Sequence, residues 1–130
     1  MHNLAESLPP IMVSDADYDR LVELANAVSA RNPLMADGLL AELGRAEIVG
    51  ALPKGVVAMG SRVEYRSDGA VRNVTLVFPN EADIATGKVS IMTPIGTALI
   101  GLSEGQSMAW TARDGRHHEL TVLRVLPPAG

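Results

Sequence analysis

The 130-residue chain contains no cysteine, which excludes a disulfide framework and any cysteine-ligated metal site. Aromatic residues are nearly as scarce: Tyr18, Tyr65, Phe78 and Trp110 make up the 3%. They are too few to build a stacking platform for single-stranded bases, so the core has to be aliphatic. Positive charge is in the minority, with a formal net charge of -4. That balance argues against a domain gripping nucleic acid through a broad field of Lys and Arg, and favours protein partners. Long apolar runs are missing too, so no bilayer-spanning helix is expected. Residues 1–14 carry no basic segment and contain Pro9-Pro10, which reads against a signal peptide and towards a cytoplasmic address.

What is present falls into two stretches of different periodicity. Residues 1–13 read as an extended lead-in. Ser14 offers an N-cap hydroxyl, Asp15 and Asp17 place negative charge in a first turn, and Tyr18, Leu21, Val22, Ala25 and Val28 recur at helical spacing. A first helix is expected from about Asp15 to Ala30. Asn32-Pro33 stops it and opens a second helix carrying Met35, Leu39, Leu40, Leu43, Ala46 and Ile48, with Glu42, Arg45 and Glu47 facing water. Residues 14–50 therefore read as a short antiparallel helical hairpin, with a coiled-coil seam of about two heptads.

Residues 51–56, with Pro53 and Gly55, read as a linker, after which the period switches to two. Strands are expected at Val57–Arg66 and Val71–Phe78 around the turn Ser67-Asp68-Gly69. Further strands are expected at Lys88–Met92, Ser107–Ala112 and His117–Leu126. Thr93-Pro94 reads as a cap and first-turn proline opening a helix over Ile95–Leu102. In the last strand Leu120 and Val122 share one face and Leu123 and Val125 the other, a phase change that predicts a β-bulge. The fold class is α+β: the hairpin, then residues 57–127 as an antiparallel sheet wrapped on one short helix.

The residues that bear chemistry do not converge on a catalytic pattern. No serine sits in a nucleophile elbow, and no glycine loop suits a phosphate. His117 and His118 are adjacent on a strand, so their rings point to opposite faces and cannot share a metal; they read as a surface strand start. Asp37 stands alone one turn into a helix, where a carboxylate offsets the helix dipole. Arg31 and Asn32 form the hairpin tip, with the only tip charge positive. No catalytic residue, metal site or cofactor is expected.

Three segments then match together in order and spacing: Glu81-Ala82-Asp83, Val89-Ser90-Ile91-Met92-Thr93-Pro94-Ile95-Gly96, and Ala98-Leu99-Ile100-Gly101-Leu102 followed by Glu104-Gly105. With them, Val57 to Pro127 resembles the C-terminal domain of the Gre transcript-cleavage factors, which implies a fold like that of the FK506-binding proteins. Pro10-Ile11-Met12-Val13, Ser14-Asp15-Ala16-Asp17, Ala36-Asp37 and Leu40-Ala41-Glu42-Leu43 are similar to the Rnk family, the regulators of nucleoside diphosphate kinase. The resemblance implies docking on core RNA polymerase at the rim of its secondary channel, in competition with Gre factors. It also implies a docking surface that includes Asp83, Thr93, Pro94, Ile95 and Gly96. Gre factors carry an acidic pair at the tip of a longer hairpin, and those carboxylates help hold a catalytic Mg²⁺. The tip Ala30-Arg31-Asn32-Pro33-Leu34 has neither carboxylate, so transcript cleavage is not expected. Two alternatives stand beside this reading. One is a general protein-interaction module whose hairpin mediates dimerisation. The other is a prolyl isomerase, for which Tyr65, Phe78 and Trp110 would have to line one pocket.

Overall fold

The structure is a computed structural model that describes residues 8–128; of the extended lead-in, residues 1–7 lie outside the described part. Three helix starts are fixed by local chemistry. The Ser14 hydroxyl accepts the Asp17 N–H at 3.2 Å and opens α1, Asp15–Val28. The Asn32 side chain accepts the Met35 N–H at 3.4 Å, and Pro33 takes the first position of α2, Pro33–Arg45. Thr93 accepts the Gly96 N–H at 3.1 Å ahead of Pro94, opening α3, Pro94–Leu99. In each case the cap satisfies an N–H that has no partner within the helix.

The second helix ends earlier than its apolar spacing suggests. After Arg45 the chain turns extended, and Ile48, expected in α2, lies in strand β2, Glu47–Val49. This strand pairs in parallel with β1, Met12–Ser14, in the register Val13 to Ile48. The two short strands close the base of the hairpin, and the Met12 N–H reaches on to the Gly101 carbonyl at 3.2 Å. Gly101 sits at φ +80°, and a Cβ there would lie 2.9 Å from both the Ile11 Cβ and the Met12 carbonyl oxygen. Only glycine lets that lead-in segment lie so close.

The main sheet has the order β5-β4-β3-β7-β6, built from β3, Arg62–Ser67; β4, Ala70–Val77; β5, Lys88–Ser90; β6, Ser107–Thr111; and β7, His117–Leu126. It is mixed rather than wholly antiparallel, because β5 pairs in parallel with β4. Residues 78–87, with 3-10 turns at Pro79–Glu81 and Ile84–Thr86, carry the chain back along the sheet before it re-enters in the same direction. The first strand begins at Arg62, not Val57. Val57 bonds instead to Leu102 and Gly101, and Ser61 turns the backbone by accepting the Ala58 N–H. The expected bulge is present: Glu64 pairs with Arg124 but Tyr65 pairs with Val122, leaving Leu123 as the extra residue of β7. Leu120, Val122 and Val125 thereby all face the core.

One contiguous core unites the two halves of the chain. Leu21, Ala25, Ala36, Leu39 and Leu43 of the hairpin cluster with Val63, Leu76, Leu99, Leu102, Leu120 and Val122. Two polar ties reinforce the contact. Asp17 accepts the Met59 N–H at 3.1 Å. Glu42 and Arg45, expected to face water, are turned inward instead. Arg45 grips both carboxylate oxygens of Glu42, at 2.8 and 3.2 Å, and donates to the Pro9 carbonyl. That carbonyl belongs to the lead-in segment, which Arg45 thereby ties to α2. Among the described residues no helix is long and apolar enough to cross a membrane.

Candidate partner-binding site

Alternate residues of a strand face opposite ways, and on the inner side of the sheet they meet two environments. At one end Val63, Leu76 and Val125 pack in the core shared with the helices. Towards the β3–β4 turn the cover stops and a concavity of ≈ 780 Å³ opens. Tyr65, Val74, Val89 and Trp110 line it from the strands, Ile95 from α3, and Ile84 from the 3-10 turn before β5. The lining is mixed: Arg72, opposite Tyr65 on β4, and Ser67, Asp68, Asn73 and His118 stand among these apolar groups.

The polar groups here are held in specific relations. The His118 ring stacks on the Trp110 indole, with centroids 4.8 Å apart and planes inclined by 27°. Its Nδ1 is hydrogen bonded to the Asp68 carboxylate. Asp68 can aim back at β7 because it occupies the left-handed region, φ 53°, at the tip of the β3–β4 turn, where Asp is tolerated better than most residues. The Trp110 Nε1 is buried with no hydrogen-bond partner among the described residues, a state that carries a free-energy cost in a folded protein. His117 points the other way and meets Thr111 at 3.1 Å. The two rings therefore diverge as expected, but His118 is a half-buried wall of the concavity and not a surface residue.

Tyr65 is 5% exposed, and burial pushes its phenol above the usual value, an effect that the Arg72 guanidinium partly offsets. A phenol whose folded pKa is raised contributes stability below the unfolded value of about 10, and that contribution is lost as the pH climbs through the folded pKa. Thermal unfolding measured from pH 9 to pH 11 is expected to show a falling Tm that Tyr65→Phe flattens. An unchanged slope in Tyr65→Phe would assign the alkaline loss to other groups.

The sequence-derived residues divide into those that reach the concavity and those that build its frame. Ile95 lines it directly. Asp83 caps the turn that presents Ile84, accepting the Ala85 N–H at 3.1 Å and exchanging backbone bonds with Lys88. Ile84 itself is 91% exposed. Thr93 binds the Ser90 carbonyl at 2.7 Å and caps α3, with Pro94 at its first position. Gly96 is buried so closely that a Cβ would fall 2.2 Å from the Ser90 carbonyl oxygen. Arg31, Asn32 and Asp37 are exposed and lie at the hairpin tip or in the first turns of α2, not at the concavity. Leu34, which sequence reasoning passed over, is 84% exposed beside them. Phe78 lies apart, under the Arg20 guanidinium at 4.2 Å, so only two of the three aromatics required by an isomerase pocket come together. Among the described residues no three His, Asp or Glu side chains converge as a metal site would need.

A helical hairpin packed on a curled mixed sheet, with a short capped helix beside its open end, is the architecture of the GreA/GreB class of transcription factors. Residues 52–127 match the family model described as transcription elongation factor GreA/GreB, C-terminal, and residues 9–49 match the Rnk N-terminus. The chain belongs to the Rnk family of GreA/GreB-related proteins. It is 38% identical to the regulator of nucleoside diphosphate kinase of Escherichia coli K12, over 92% of this chain and 90% of that protein. A solved structure of a GreA/GreB elongation factor from Nitrosomonas europaea superposes with a TM-score of 0.72 at 35% identity, covering 90% of this chain and 99% of that one. Transcription elongation factor GreA of Nitratidesulfovibrio vulgaris is 33% identical over 53% of this chain and 43% of its own length.

Proposed function

We propose that this protein is a non-catalytic regulator that binds core RNA polymerase at the rim of the secondary channel and competes there with Gre factors. The observation that carries the reading is the concavity beside α3, edged by the apolar Ile84 and Ile95, within the segment related to the GreA/GreB C-terminal domain. An exposed isoleucine on a capped turn is suited to act as an anchor in a partner's pocket. Asp83 sets that turn, and Thr93, Pro94 and Gly96 set the helix beside it. At the other end, α1 has 14 residues and α2 has 13, a hairpin about 20 Å long. Its tip presents Arg31, Asn32 and Leu34, and Asp37 is the single nearby carboxylate. The reading accordingly includes no stimulation of transcript cleavage.

The full chain is expected to retain core polymerase in a pull-down and to release it when a Gre factor is added. Ile84→Glu should weaken retention about tenfold or more without lowering Tm, since the side chain is almost fully solvent-exposed. Accelerated cleavage in a stalled elongation complex would sink the non-catalytic part of the proposal. Equal retention by Ile84→Glu would remove the concavity from it.

A further inference from the structure

The outer face of the sheet carries a charge pattern opposite to that of the chain. Strand pairing places Arg62, Glu64 and Arg66 of β3 on this side with Thr75, Asn73 and Val71 of β4, and with Leu126, Arg124 and Thr121 of β7. Lys88 of β5 pairs with Thr75 and so joins the same row as Arg62. Glu119 of β7 also faces outward, opposite Ala109. Four of the chain's 11 Lys and Arg residues thus share one face with two of its 15 Asp and Glu residues, although the net charge is -4.

The four cations are exposed. Among the described residues the ion pairs are Arg45–Glu42, Arg116–Asp114 and His118–Asp68, so none of these four is engaged, not even with the neighbouring Glu64. At about 4.8 Å between strands and 3.4 Å per residue, Arg62 lies roughly 10 Å from Lys88 and 13 Å from Arg66. A shallow groove of ≈ 280 Å³ opens beside Arg62 and Arg124, lined also by Asn73, Thr75, Leu126 and one carboxylate, Glu64. Among the described residues the Asn73 and Thr75 side chains have no partner, and both can donate to oxygen.

We propose that this outer face binds the phosphate backbone of single-stranded nucleic acid, independently of base sequence. Guanidinium and ammonium groups with neutral donors between them match a run of phosphate oxygens. A folded protein partner fits poorly, because the middle of the face lacks the apolar anchors on which protein interfaces depend. The outside of a curled sheet touches a duplex over a small area, whereas a flexible strand can follow it. Among the described residues no Phe, Tyr or Trp projects from this face, so binding rests on charge rather than on base stacking.

The test is fluorescence anisotropy with a labelled oligouridylate of about 15 nucleotides, titrated with the full chain across a salt series. Three to four phosphate contacts predict a slope of log K against log salt of about -2 to -3. The triple variant Arg62→Gln, Arg66→Gln, Arg124→Gln is expected to lose at least ~tenfold in affinity at low salt and about two units of slope. Arg113→Gln with Arg116→Gln removes exposed charge from the β6–β7 turn and should leave both values near those of the native chain. Absence of binding at about 50 mM salt overturns the proposal, as does an equal loss in the turn variant. Poly-glutamate competing as well as unlabelled oligouridylate overturns the assignment of the occupant. Circular dichroism of the variants separates loss of binding from loss of fold.

Discussion

Gly96→Ala is expected to destabilise the protein by about 3 kcal/mol or more, and to lower Tm by roughly 10 °C. The added Cβ would stand 2.2 Å from the Ser90 carbonyl oxygen and 3.0 Å from the Ile91 Cα. Both obstacles are backbone, so no side chain can swing aside. Relief would require α3 to lift from the end of β5, breaking the Thr93 contact with the Ser90 carbonyl and uncovering Leu99, which is fully buried. Gly38→Ala is the matched control: nothing lies within 4 Å of its Cβ. An alanine inside an exposed helix should stabilise by up to about 1 kcal/mol. Urea unfolding of the two variants decides the matter, and a Gly96→Ala midpoint close to the native one would mean that α3 adjusts freely.

Arg45→Met is expected to cost about 2–3 kcal/mol, through three losses at once. The Glu42 carboxylate, in a residue only 9% exposed, is left without its two guanidinium bonds. The Pro9 carbonyl loses its donor, and the Met108 sulfur loses a polar neighbour. Adding Glu42→Met should recover at least 1 kcal/mol, because the stranded charge is then gone and both side chains can pack as apolar groups. The remaining deficit belongs to Pro9. Amide exchange should therefore stay faster at Met12 and Glu47 in the double variant than in the native chain. If the second substitution only adds to the damage, the carboxylate was not what Arg45 was holding.

These effects mark what could be read from the sequence. Ser14, Asn32-Pro33 and Thr93-Pro94 announced their helices because capping acts over three residues and needs no distant partner. The bulge was legible for a similar reason, since the phase of Leu120, Val122 and Val125 records it within one strand. Direction of pairing was not legible. Whether β5 runs parallel or antiparallel to β4, or β1 meets β2 at all, depends on the path of residues 78–87 and on chain segments far apart. Glu42 and Arg45 misled because each is ordinary on a wet helix face, and contacts with Pro9 and Met108, both distant in sequence, turn that face inward. The concavity was half visible: Ile95 and the capping roles of Asp83 and Thr93 could be named. Tyr65 and Asp68 come from β3 and its turn and Trp110 and His118 from the β6–β7 hairpin, two distant stretches that only the sheet brings together.

The N-terminal seam has a consequence for how the chain is made. Ile11 and Val13 are buried against segments that come much later, and Met12 bonds to Gly101. During synthesis the hairpin can form early as a loose helical pair, but its apolar side stays wet until α3 and the strand after it have left the ribosome. At about 5–20 residues per second, the interval between Met12 and Gly101 lasts roughly 5–20 seconds. For that time Leu21, Leu39 and Leu43 have no completed core to join, and a holding chaperone would find its purchase there.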